Sequence, residues 1–140
     1  MSENPKTETL IKGADVILTM NDEREELHSA DIRMRDGVIV EVGQGLISDG
    51  EIVHASGCVV TPGLVNTHHH LFQTLTRAVP AAQDALLFGW LQTLYPIWER
   101  FGPDEIFVST QIGLAELALS GCSMTSDHLY LFPNGARLDD

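Results

Sequence analysis

Cysteine is scarce in this chain. There are two in 140 residues, Cys58 and Cys122, far apart and in no C-x-x-C pair. That leaves no basis for a disulfide framework or a thiolate metal site. Basic residues are also few, eight Lys and Arg against twenty Asp and Glu, for a net charge of −12. A surface for nucleic acid or for anionic lipid needs clustered positive charge, so neither partner is expected, and the surplus of acid is read as solubility. No run approaches the ~18 apolar residues of a membrane span. The polar, mixed-charge stretch Met1–Thr9 has no apolar signal core, so a soluble cytoplasmic protein is expected. Repeats and low-complexity segments are absent. The composition that remains, 44% hydrophobic and 20% charged, is that of an ordinary folded domain rather than a disordered chain.

The first stretch, residues 1–57, reads as short strands and tight turns. Leu10–Met20 is an apolar run and 21–26 a polar turn. Asp31–Glu41 alternates around Asp36-Gly37, a hairpin signal. Glu51–Val60 gives one or two short strands broken at Ser56-Gly57. This spacing predicts a small antiparallel sheet or sandwich.

The pattern changes at Cys58, taken as the start of a second part, 58–140. Cys58–Thr67 is apolar and β-branched. Pro62 cannot serve an ordinary central ladder position, so the strand proper is placed from Gly63. Helical periodicity follows. Asp84–Arg100 carries Leu87, Trp90, Leu91, Leu94 and Trp98 at three- and four-residue steps, with Pro96 expected to kink or end the helix. A second helix starts at Gly102-Pro103, with Asp104 and Glu105 in its first turn. Its polar stripe is Glu105, Ser109, Glu116 and Ser120, and Gly121 fits its stop. Cys122–Asp127 reads as another strand and Leu129–Asp140 as loop. Strand, helices, strand is a βαβ unit and implies a parallel sheet with helical cover.

Six histidines occur, and three are consecutive. His28 and His54 sit in turn-like surroundings and read as solvated. His68 and His70 share one face of an extended strand end, while His69 faces the other way. Two imidazoles so placed can grip one divalent ion, zinc or iron among the nitrogen-accepting metals. A lone H-x-H is weak on spacing alone; a tag is excluded because the run is internal and follows an apolar strand.

Pro62-Gly63-Leu64-Val65-Asn66-Thr67-His68-His69-His70 resembles the P-G-[LF]-[IV]-[ND]-x-H-x-H signature of the amidohydrolase superfamily. The preceding β region agrees with that context. Leu71–Arg77, Trp90-Leu91 and Gly121–Asp127 narrow the resemblance to the aromatic deaminase and chlorohydrolase branch. His68-His69-His70 with Gln73, and Asp127-His128, are most similar to 8-oxoguanine deaminases and hydroxyatrazine ethylaminohydrolase-like proteins. Many of that branch carry Thr-Thr where this chain has Ser123-Met124, a departure that touches strand packing and not the ligands.

The resemblance implies an α/β metal-dependent hydrolase: a (β/α)8 TIM barrel with an N-terminal β-sandwich part. It implies His68 and His70 as ligands of one divalent metal, zinc in preference and iron as the alternative. It implies an amino-substituted aromatic heterocycle as substrate and a homo-oligomeric parent enzyme. Gln73 is a candidate substrate contact, the other reading being a polar loop residue. His128 is a site residue or a loop residue, and Trp90 a stacking surface or core. Such a barrel needs ~250 residues, and 58–140 holds two of its strands at most. The later ligands and the proton-moving Glu and His have no counterpart here, so the chain is expected to be an N-terminal fragment, inactive alone. A cyclic amide hydrolase of the same superfamily and a non-catalytic metal-binding remnant stay open, with Phe72–Arg77 disfavouring the former.

Overall fold

The computed structural model describes residues 7–139. The chain forms two compact units, Met1–Pro62 and Gly63–Asp140. None of the described helices is long and apolar enough to cross a membrane.

The first unit is one five-stranded sheet built around β1 (Glu8–Leu18). β2 (Glu26–Arg35) and β3 (Val38–Gly43) extend it on one side in antiparallel order, while β4 (Glu51–His54) and β5 (Val59–Val60) pair with the other edge of β1 in parallel. The sheet is therefore mixed, not antiparallel throughout. β4 takes the first half of β1 and β5 the second, so the break at Ser56-Gly57 lets one edge serve two short strands. Residues Val59–Val60 thus belong to this sheet. Asp36 and Gly37 both adopt positive φ, 52° and 78°, the geometry of a type I′ hairpin whose twist matches the strands it joins. His28 and His54 are exposed, and they lie in β2 and β4 rather than in turns.

A buried carboxylate ties this unit together. Asp31 on β2 is 3% exposed. Its Oδ1 accepts the Gly13 N–H at 2.7 Å and its Oδ2 accepts the Leu46 N–H at 2.8 Å. The Lys12 ammonium stands 3.5 Å away and donates to the Leu46 carbonyl. Gly13 interrupts the β1–β2 register between Ile11 and Ala14 and has φ +71°, which a side chain would resist. One side chain thus holds the irregular point of β1 and the loop before β4. The apolar cluster of Ala14, Ile17, Ala30, Ile32 and Ala55 packs around the same strands.

The second unit is a βαβ element. β6 (Leu64–Asn66) and β7 (Cys122–Thr125) pair in parallel, and between them run a 3-10 turn at Leu71–Thr76, α1 (Leu87–Trp98) and α2 (Pro103–Leu119). α1 starts later than the periodicity suggested and continues through Pro96 for two residues. α2 opens as read from sequence: the Glu105 carboxylate reaches back to accept the Gly102 N–H at 2.8 Å. It ends before Gly121, whose φ is +84°. Phe72, Leu94, Trp98, Phe101 and Ile106 form the core, and the Trp98 indole N–H donates to Thr76 at 3.0 Å.

One expectation is reversed. Ser109, read as part of the polar stripe of α2, is fully buried. Its face carries Ile106 and Gly113 inward, while Phe107, Val108, Ile112 and Leu114 are exposed. A buried hydroxyl is tolerated where it is bonded, and Ser109 donates to the Leu71 carbonyl at 2.8 Å. Helical periodicity reports amphipathicity but not which stripe faces in when most of the surface is apolar.

Asp31 generates a stability prediction. Burial raises its carboxyl, but the two N–H donors and Lys12 outweigh burial and hold it below the ordinary value. Its contribution is therefore fully present above the unfolded pKa of about 3.9 and lost as pH falls through the lower folded value. Asp31→Ala should cost about 2–3 kcal/mol at pH 7 in equilibrium urea unfolding, because charged hydrogen bonds are lost and two N–H groups are stranded. Asp31→Asn should flatten the fall in stability below pH 4. An unchanged urea midpoint for Asp31→Ala would show that the carboxylate is structurally idle.

Candidate metal and substrate site

Beyond Asn66 the β6 strand ends and the backbone turns. The Asn66 side chain accepts the His68 N–H at 2.9 Å, an Asx-type turn that fixes where the first histidine leaves the strand. The Nε2 atoms of His68 and His70 then come within 3.3 Å of each other, with the rings edge to face. His69 is turned away, toward α2: a Cβ built on Gly113 would lie 3.8 Å from its ring.

The spacing of the pair can be tested against a metal. Two nitrogens each about 2.0–2.1 Å from one zinc, at the tetrahedral angle, stand about 3.3–3.4 Å apart. The observed 3.3 Å fits that bite. The proton of His70 points to the same conclusion. Its Nδ1 lies 2.9 Å from the His128 carbonyl oxygen. A carbonyl can only accept, so in the neutral ring the hydrogen sits on Nδ1 and the Nε2 lone pair faces His68 Nε2, 3.3 Å away. A backbone carbonyl on the far nitrogen is the usual support of a metal-ligating histidine. The spacing and chemistry of the pair are compatible with an ion between them, and among the described residues no group of three His, Cys, Asp or Glu converges to hold one.

Two residues that sequence reasoning left without roles support this loop. Asp127 Oδ1 accepts the Leu71 N–H at 2.7 Å, immediately after His70. Tyr130 sets its ring edge to face against His70, His128 and Phe72, 5.2–5.6 Å between centroids. Its hydroxyl accepts from Gln73 Nε2 at 2.9 Å. Burial in the first place, and Tyr95 in the second, push the Tyr130 phenol above its ordinary value against the opposing Gln73 bond. The β6–β7 pairing carries these contacts, since Ser126 N–H donates to the Asn66 carbonyl and His128 N–H to the His69 carbonyl. The polar and aromatic character of Asp127–Tyr130 was the available signal; their partners, 56–58 residues back, were not.

Of the other candidates, Gln73 lies in the 3-10 turn and lines a shallow cavity of about 230 Å³ with His68, His69, His70, Thr74 and Arg77. His128 is exposed, its ring 5.4 Å from that of His70. Trp90 is half-buried, edge to face with Trp98 at 5.3 Å in the apolar cluster, and does not line the cavity beside the histidines. At the cavity rim Arg77 donates to Glu116 at 2.7 Å, and this bond holds the Glu116 carboxyl below its ordinary value.

Known proteins resemble this chain in sequence and fold. No family model matches the chain. Over 81 residues it is 57% identical to the 8-oxoguanine deaminase of Pseudomonas aeruginosa, covering 58% of this chain and 18% of that protein. It is 34% identical over 137 residues to the hydroxydechloroatrazine ethylaminohydrolase of a Pseudomonas species, covering 89% and 28%. Its fold superimposes with a TM-score of 0.79 on the zinc complex of an atrazine chlorohydrolase from Arthrobacter aurescens, at 32% identity over 85% of this chain and 28% of that one. The chain therefore resembles the N-terminal portion of the deaminase and chlorohydrolase branch of the amidohydrolases, and spans less than a third of the length of the relatives it matches.

Gly113 makes this arrangement testable. Its absent side chain lets the 3-10 turn lie on α2: a Cβ there would stand 2.7 Å from Leu71 Cδ2 and 2.9 Å from Thr74 Oγ1. Alanine in a helix interior gains about 1 kcal/mol over glycine, whereas forced overpacking costs about 1–3 kcal/mol. Gly113→Ala should therefore be neutral to destabilising and Gly113→Val clearly destabilising, measured by urea unfolding. A stabilised Gly113→Val variant would mean that the turn does not rest on this helix.

Proposed function

We propose that this chain supplies the metal-gripping part of an amidohydrolase that hydrolytically removes an amino or alkylamino group from an aromatic heterocycle. The substrate class is 8-oxoguanine, another guanine-like purine, or a hydroxytriazine. The observation that carries the reading is the His68–His70 pair, with Nε2 atoms 3.3 Å apart and the His128 carbonyl 2.9 Å from the far nitrogen of His70.

His68 and His70 hold one divalent ion, zinc in preference and iron as the alternative. When bound, the ion supplies a hydroxide-like nucleophile from water near neutral pH. The remaining roles fall to this chain's own side chains. Tyr130 engages one N–H of the Gln73 amide, leaving Gln73 Oε1 and its second N–H for the edge of a heterocycle. The exposed ring of His128 borders the same centre as His70. Trp90 braces Trp98 and, through it, the core beneath the 3-10 turn. In this reading the further ligands and the groups that move protons lie outside the described residues. The first unit is the β-sandwich part of the composite enzyme, and the second is the start of its barrel.

A chimera tests both class and residues: this chain in place of the matching segment of a full-length deaminase. It should contain one metal per chain and release ammonia from 8-oxoguanine or an aminotriazine. His68→Ala and His70→Ala should lose the metal, and His69→Ala should keep it. Gln73→Leu should lower kcat/KM roughly ten- to hundredfold, the equivalent of about 1–3 kcal/mol for an unpaired substrate group, with metal content unchanged. Faster turnover of hydantoins than of amino-substituted heterocycles would overturn the class, and full metal content in His68→Ala would overturn the ligand assignment.

A further inference from the structure

The histidine loop and the segment after β7 are joined by three hydrogen bonds within four residues of each other. His128 N–H donates to the His69 carbonyl at 3.0 Å. His70 Nδ1 meets the His128 carbonyl at 2.9 Å. Leu71 N–H donates to Asp127 Oδ1 at 2.7 Å. The first two use only the backbone of residue 128, so they act only while that backbone stays where it is. Asp127 is the side chain that fastens it. Its carboxylate grips the amide directly after the second ligand, and its own main chain leads straight into the carbonyl that orients that ligand.

Removing this grip does more than lose one hydrogen bond. The His128 carbonyl is then free to withdraw from His70, and a neutral imidazole released from it redistributes its proton between the two nitrogens. Each ring with the proton on Nε2 has no lone pair to give from that atom, so a lost tautomer preference appears directly as lost metal affinity. Supports of this kind are worth ten- to hundredfold in affinity.

We propose that Asp127 is a positioning residue for the metal pair: by accepting the Leu71 N–H it keeps the His128 carbonyl on His70 Nδ1 and so keeps the His70 Nε2 lone pair available. The role is that of an acceptor, not of a ligand and not of a charge. It rests on the reading of His68 and His70 as ligands.

The test is nitrogen-15 spectroscopy of the imidazoles in the metal-free chimera described above at pH 8, above the ordinary imidazole pKa of about 6.5, titrated with zinc chloride. The unsubstituted chimera should show His70 protonated on Nδ1 before any zinc is added. Asp127→Leu should show a mixture of His70 tautomers and bind zinc ten- to hundredfold more weakly. Asp127→Asn keeps an oxygen acceptor without the charge, and should retain both the tautomer and the affinity within about threefold. If Asp127→Asn falls as far as Asp127→Leu, the carboxylate acts through charge or ligation and the proposal is overturned. The same follows if Asp127→Leu keeps wild-type tautomer and affinity. Should Asp127→Leu fail to fold, the wild-type tautomer and the Asp127→Asn affinity still decide: His70 protonated on Nε2 overturns the proposal. Absence of zinc binding by the unsubstituted chimera, with His70 protonated on Nδ1, overturns the ligand reading itself and this proposal with it.

Discussion

Two imidazole nitrogens can share an ion only if they stand close together, and in this chain the approach of His68 and His70 to 3.3 Å depends on the pairing of β6 with β7. The strands contribute three and four residues, yet their ladder continues into both following loops through Ser126 to Asn66 and His128 to His69. That continuation brings the carbonyl of residue 128 beside residue 70 across 58 positions of sequence. Everything between, the 3-10 turn and both helices, serves to return the chain to the right edge at the right register. Ser109 and Gly113 on α2 then receive the turn that follows the histidines, one by a buried hydroxyl and the other by having no side chain.

Features set by short-range physics were legible in the sequence. The type I′ turn at Asp36-Gly37, the start of α2 at Gly102-Pro103 and its stop at Gly121 each follow from which φ values a residue tolerates or which N–H groups need a partner. Strand alternation was the reason to expect His68 and His70 together, yet β6 ends at Asn66 and the rings meet in the loop beyond it, after an Asx-type turn. Features set by distant partners were not legible. The parallel pairing of β4 and β5 with one edge of β1, the inward turn of Ser109, and the grip of Asp127 and Tyr130 on the histidine loop all depend on tertiary neighbours. Nothing in a window of ten residues specifies those neighbours. The resemblance in the Pro62–His70 signature bridged that gap for the fold, because it carries a context that spacing lacks.

The surface of the second unit is unusual for its apolar content. Leu64, Val65 and Met124 on the two strands, and Phe107, Val108, Ile112 and Leu114 on α2, are all exposed. A two-stranded sheet with open edges and uncovered faces is poorly placed to stay apart from other chains. The solved structures it resembles are more than three times as long, with this chain matching about 28% of one. The first unit also exposes apolar side chains, Val38, Ile39, Val42, Ile52, Val53 and Val59 among them, although a bonded carboxylate and a buried apolar cluster tie its sheet together.

The two duties met at position 128 fall on different atoms. Support of the ligand loop uses its main-chain N–H and carbonyl, which nineteen of the twenty amino acids would present alike, proline alone lacking the N–H. The ring, exposed beside His70, is the part that varies with residue type. A chain built this way can exchange the side chain at 128 and alter what approaches His70 without disturbing the backbone that supports it. Selection for a new substrate would find that position cheap to change, while Asp127, whose side chain is itself the fastening, would be costly. Adjacent residues in one loop therefore differ in how freely they can drift, and the difference comes from which half of each residue bears the load.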